Sequence, residues 1–158
     1  MPKILIALDS SAGAWRAVEY AARTFGKAPE VQVTLFHVLP SLPPSFWDYG
    51  HVLDEKEGEA RKKLVAGWER EQEKNWQDLF RKAHQHLTEA GLAKEAVTDK
   101  FKPKYFDVAE DIINEAETEG YDTVIMGRRG LGMAKSLILG SVTRKVADGA
   151  KGFAVTIV

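Results

Sequence analysis

The stretch that decides the reading of this chain is Thr123-Val124-Ile125-Met126-Gly127-Arg128-Arg129-Gly130-Leu131-Gly132, with its continuation Gly140-Ser141-Val142-Thr143. Four apolar or β-branched residues, Thr123 to Met126, read as a short strand that stops at a glycine. A glycine-rich loop follows, and a helix opens at Ser141. Glycine leaves backbone N–H groups unshielded and permits positive φ, so such a loop can wrap its amides around an anion. The helix start adds further free N–H groups and the positive end of its dipole. The stretch therefore reads as a phosphate cradle.

Upstream, Lys3 to Leu8 is a continuous apolar run, the pattern of a parallel strand buried on both faces. Asp9-Ser10-Ser11 ends it and supplies N-cap side chains, Asp9 among them, for a helix in which Trp15, Val18, Ala21, Ala22 and Phe25 recur at helical spacing. A second strand runs from about Val31 to Leu39. Strand, helix and strand at this spacing make a right-handed βαβ unit. Pro40, Pro43 and Pro44 forbid further strand and lead into the aromatic segment Phe46-Trp47-Asp48-Tyr49.

From about Val52 to Ala90 the chain reads as one long, charged helix, with Glu57–Arg61 and Glu59–Lys63 at i,i+4 and a break expected near Gly67. Trp68, Trp76, Leu79, Phe80, Ala83 and Leu87 keep one apolar face. Val97 to Lys102 alternates as an edge strand does. Asp107 with Glu110 resembles a capping box ahead of Val108, Ile112, Ile113 and Ala116. Helix 141–149 and a strand from Phe153 to Val158 finish the chain. Five strands alternating with four helices predict one α/β domain over residues 1–158, built on a parallel sheet.

Composition excludes several classes. Lys and Arg number 22 against 23 Asp and Glu, and the signs are mixed along the chain, which argues against nucleic-acid or anionic-membrane surfaces. No cysteine is present, so thiol catalysis and disulfides are out. The apolar run at Ile4 to Leu8 is too short for a signal peptide, and nothing approaches a membrane span. A soluble, cytoplasmic protein is expected. The histidines (37, 51, 84 and 86) are scattered, and no structural metal is predicted.

The glycine spacing is not a P-loop, because Met133 stands where the lysine should be. Nor is it the dinucleotide fingerprint, because Lys135 stands where a third glycine is needed. What remains is Gly127-x2-Gly130-x9-Gly140-Ser141. Together with Ile6-Ala7-Leu8-Asp9 and Leu35-Phe36-His37-Val38, it closely resembles the universal stress protein family over nearly the whole chain. The resemblance implies a parallel sheet in the order 3-2-1-4-5, with Asp9 and Gly127 at the two strand ends that flank its switch point. It implies ATP as ligand, with Mg²⁺. Asp9 would approach the adenosine part and the Val38 backbone would meet adenine. Gly127, Gly130, Gly140, Ser141 and Val142 would hold ribose and phosphates, with Met126, Gly132 and Thr143 in the same lining. Two departures stand out: Lys102-Pro103-Lys104-Tyr105-Phe106 replaces the Gly-x-Pro turn of many members, and the segment at 40–75 is longer and more aromatic than a bare family core.

Arg128, Arg129 and Lys135 could neutralise phosphate charge. No base or nucleophile signature accompanies the loop, so binding with slow or absent turnover is expected. Two alternatives share the chain. One is a slow ATPase or self-phosphorylating protein with Ser141 or Thr143 as acceptor. The other is an interaction scaffold for a protein partner, using the aromatic segment and the charged helix. The last strand is apolar yet sits at a sheet edge, which predicts a homodimer through Phe153–Val158, as the resemblance also implies.

Overall fold

A computed structural model describes residues 1–28, 30–47, 50–129 and 139–158. In chain order the elements are β1 (Lys3–Ala7), α1 (Ala12–Phe25), β2 (Gln32–Leu39), α2 (Glu55–Lys74), α3 (Gln77–Glu89), β3 (Val97–Pro103), α4 (Val108–Thr118), β4 (Thr123–Met126), α5 (Ser141–Gly149) and β5 (Ala154–Ile157), with short 3₁₀ turns at Pro44–Phe46 and Lys94–Ala96. The sheet order is β3-β2-β1-β4-β5, and every neighbouring pair is parallel. The order agrees with the one that the family resemblance implies.

Alternation along the strands divides the core in two. Ile4, Ile6, Val33 and Leu35 pack with Ala17, Val18 and Ala21 of α1 and Phe80, Ala83 and Leu87 of α3. Leu5, Phe36 and Val124 pack on the other face, with Ala109, Ile112 and Ala116 of α4 and Val146 of α5. Helices therefore cover both faces of a sheet whose central strands are buried throughout, as continuous apolar runs require.

The long helix expected at 52–90 is two helices, and the break falls at Asn75–Trp76, not at Gly67. None of the residues of α2 is buried, whereas α3 buries Phe80, Ala83 and Leu87 against the sheet. The Trp76 ring lies on His37 of β2, with centroids 3.6 Å apart, and this contact fixes where the chain turns onto the sheet. The two expected i,i+4 pairs also give way. Glu57 turns back to the Asp54 N–H (3.1 Å) to close a capping box, and Arg61 donates to the Phe46 carbonyl (3.1 Å). Glu59 pairs with Lys62. In the aromatic segment Trp47 is exposed; Asp48 and Tyr49 lie outside the described residues.

One charge cluster is internal. Glu115 of α4 is 1% exposed, and its two oxygens each lie 2.5 Å from an ammonium, those of Lys100 and Lys102 on β3. Burial alone pulls the Lys100 ammonium down, but its hydrogen bonds to Glu115 and Glu119 leave it above the usual lysine range.

Candidate functional site

At the carboxyl end of the sheet β1 and β4 send their chains to opposite faces, β1 into α1 and β4 toward α5. A cleft opens between them, where ligands bind in open α/β sheets. Nine of the sequence-predicted residues line it: Asp9, Val38, Met126, Gly127, Arg129, Gly140, Ser141, Val142 and Thr143. Gly130, Gly132 and Lys135 lie outside the described residues. Val108 and Ile112 of α4 and Ala14 of α1 also line the cleft. The sequence gives these three no role in the site: Val108 and Ile112 read only as core by their apolar spacing, and Ala14 carries no signal of its own.

The caps differ from expectation. Of Asp9-Ser10-Ser11 it is Ser11 that caps α1, and Asp9 does not: the Ser11 side chain accepts from the Ala14 N–H at 3.1 Å. Asp9 accepts from the Ser11 N–H at 2.8 Å, which holds the cap residue and leaves the Asp9 carboxylate at the cleft wall. Gly140 is the N-cap of α5 and Ser141 its first helical residue, with no side-chain cap. By contrast α1, α2 and α4 each have one, from Ser11, Asp54 and Asp107. The capping box expected at α4 is half made, because Glu110 turns to Lys145 (2.7 Å).

Two expected anion contacts are engaged within the protein. The Gly140 N–H donates to the Arg128 carbonyl at 3.0 Å. The Thr143 hydroxyl is buried and donates to the Gly127 carbonyl at 2.9 Å. Both bonds tie the end of β4 to the start of α5. The donors they leave are the first-turn amides of α5 itself, which have no intrahelical partner and stand at the positive end of the helix. Arg129 adds a cation to the same wall.

Gly127 has a steric reason besides any ligand. A Cβ there would stand 2.6 Å from the carbonyl oxygen of Gly13 in α1. Gly13 was missed in the sequence, although an isolated glycine in a helical pattern is a signal of close backbone approach.

His37 was set aside with the scattered histidines, yet it belongs to the cleft wall. Its Nδ1 lies 2.7 Å from the Leu8 carbonyl. Burial holds the ring below the usual imidazole range, against the opposing pull of the Leu8 bond and the Asp9 charge. Among the described residues no three His, Asp or Glu side chains gather as metal ligands, and no helix is long and apolar enough to cross a membrane.

Comparisons with known proteins agree with this geometry. The universal stress protein family profile matches residues 1–158. The universal stress protein YxiE of Bacillus subtilis (strain 168) is 26% identical over 153 residues, spanning 92% of this chain and 91% of the relative. The structure of the universal stress protein UspA from Lactobacillus plantarum superposes with a TM-score of 0.69 at 16% identity, covering 99% of this chain and 97% of that one. The universal stress protein from Archaeoglobus fulgidus, solved in complex with dAMP, gives 0.57 at 20% identity, with 99% and 96% covered. This chain belongs to the universal stress protein family.

Proposed function

We propose that the cleft binds an adenine nucleotide, ATP with Mg²⁺, and that the protein is a nucleotide-responsive regulatory module in stress response. The observation that carries this reading is one cleft with two kinds of backbone donor at its ends. Val38, near the end of β2, and the uncapped first turn of α5 both line it. The first suits a base edge and the second suits phosphate. Asp9 would face the adenosine part, Val142 and Met126 would supply apolar wall, and Arg129 would meet phosphate charge. Gly130 and Gly132 are carried over as further phosphate contacts on the motif alone. Bound Mg²⁺ would neutralise phosphate charge. The dAMP held by the Archaeoglobus protein supports an adenine nucleotide as the ligand class.

Self-phosphorylation is a second reading, and it narrows to one residue. The Thr143 hydroxyl is spent on Gly127, whereas Ser141 is exposed at the cleft. Calorimetric titration with ATP and Mg²⁺ tests the first reading: saturable heat is expected, and no heat with any adenine nucleotide would count against it. The same mixture made with γ-labelled ATP should leave the protein unlabelled. Label that disappears in Ser141→Ala would favour the second reading.

We also propose a homodimer through β5, whose outer edge has no strand partner among the described residues and whose Ile157 is exposed. A dimeric mass in sedimentation at micromolar concentration is expected; a monomeric one would remove this part of the reading.

A further inference from the structure

The hydrogen-bond ladder between β1 and β2 uses alternate residues. Gln32 N–H donates to the Pro2 carbonyl (2.9 Å) and Leu8 N–H to the Phe36 carbonyl (2.8 Å), with Ala7 opposite Phe36. In a parallel pair the next rung runs from the Val38 N–H to the Leu8 carbonyl. That rung is not made. The Leu8 carbonyl instead faces His37 Nδ1 at 2.7 Å. A carbonyl oxygen only accepts, so Nδ1 carries the proton and donates it. Nor does Val38 turn to β3, because the odd-numbered residues of β2 serve that side, as the bond from Lys104 N–H to the Leu39 carbonyl (3.0 Å) illustrates. The Val38 N–H is thus directed at the gap that opens where β1 ends, and it has no hydrogen-bond partner among the described residues.

We propose that His37 is a positioning residue for base recognition: by taking the Leu8 carbonyl it ends the ladder one rung early and keeps the Val38 peptide open for a purine edge. The inference rests on the nucleotide reading for its ligand class, but its geometric half is independent of it. An N–H and a C=O on one residue complement a heteroaromatic edge carrying an acceptor beside a donor, as adenine does with N1 and its exocyclic amine. The histidine ring is held for this task from two directions. Trp76 lies over it at 3.6 Å, and Phe101 meets it edge-on with centroids 6.4 Å apart. A side chain that merely filled this space would not need a donor at the Nδ1 position.

Amide hydrogen exchange by NMR on the nucleotide-free protein, joined to calorimetry with ATP and Mg²⁺, tests this. In the wild type the Val38 amide is expected to exchange much faster than that of Phe36, which lies inside the paired region. His37→Phe keeps an aromatic ring against Trp76 but removes the donor. It should let the Leu8 carbonyl return to Val38, slow exchange there, and weaken nucleotide binding about tenfold, the loss of one hydrogen bond. His37→Asn, which retains an N–H donor close to the Nδ1 position, should keep Val38 open and bind within about threefold of wild type. A Val38 amide as protected as Phe36 in the wild type overturns the proposal without any substitution. So does a folded His37→Phe protein with unchanged Val38 exchange and unchanged affinity. A wild type that binds no adenine nucleotide overturns the functional reading alone; the exchange comparison then decides whether His37 holds the amide open.

Discussion

Replacing Gly127 by alanine is expected to lower stability by about 2–3 kcal/mol, the upper part of the range for overpacking a filled interior, and to weaken nucleotide binding with it. The new Cβ would stand 2.6 Å from the Gly13 carbonyl oxygen and 2.7 Å from the Gly13 Cα. Neither is the end of a flexible side chain, so the first turn of α1 itself must retreat from the end of β4. That turn cannot move alone. Its cap Ser11 is bound to the Asp9 carboxylate (2.8 Å) and reaches the Arg129 carbonyl (3.5 Å), so the displacement passes to two residues of the cleft. Gly13→Ala should behave alike, because its Cβ meets the Arg129 carbonyl oxygen at 2.6 Å. The two effects should fall short of additive, since either one separates the same pair of backbones. Gly58 and Gly67 of α2 are the control. A Cβ at either meets nothing within 4 Å, so alanine there should stabilise by about 0.5–1 kcal/mol. Urea unfolding of the four variants measures the contrast. A Gly127→Ala protein as stable as wild type would show that the approach of α1 to β4 is not close-packed.

The double variant Lys100→Met/Lys102→Met should cost about 3–5 kcal/mol, the usual penalty for stripping the partners from a buried charge. Glu115 contributes no side-chain exposure at all, while Lys100 and Lys102 are 30% and 40% exposed. The cluster is therefore asymmetric. The lysines can turn their ammonium groups to water if the acid is lost, keeping their methylene stems on the sheet. The acid has no such exit. Glu115→Leu is accordingly expected within about 1 kcal/mol of wild type, since an apolar side chain of similar size replaces the buried charge and leaves none stranded. Chemical unfolding at neutral pH decides the matter. If the acid-to-leucine change proves as costly as the double lysine change, the cluster contributes attraction beyond the avoidance of a stranded charge.

That cluster also marks how far the sequence could be read. The strands were legible because central parallel strands carry unbroken apolar runs, and Lys3 to Leu8 and Val31 to Leu39 fall within a residue or so of the observed bounds. In β3 the alternation gave the strand and its edge position, but it could not reveal that Lys100 and Lys102 face a helix from a different part of the chain. The signal was present on the helix side: Glu115 falls on the stripe of Val108 and Ile112, where an acid is out of place. The 52–90 segment failed for a related reason. The helix breaks at Asn75–Trp76, where the Trp76 ring meets His37, a residue of distant sequence number. In the cleft, lining residues could be named from the motif, yet which hydroxyl or amide was already engaged depended on long-range geometry. The family resemblance gives Thr143 and Gly140 to a ligand, and their donors serve the protein's own carbonyls.

The two consecutive helices that replaced one expected helix live under different rules. The apolar residues that α3 buries join the core shared by α1 and the sheet, so a change there is felt in the body of the molecule. None of the 20 residues of α2 is fully buried, and most surface substitutions shift stability by no more than about 0.5 kcal/mol. Selection can therefore rewrite the exposed positions of α2 at a pace the body of the molecule does not allow, while the cleft, which α2 does not line, keeps its shape.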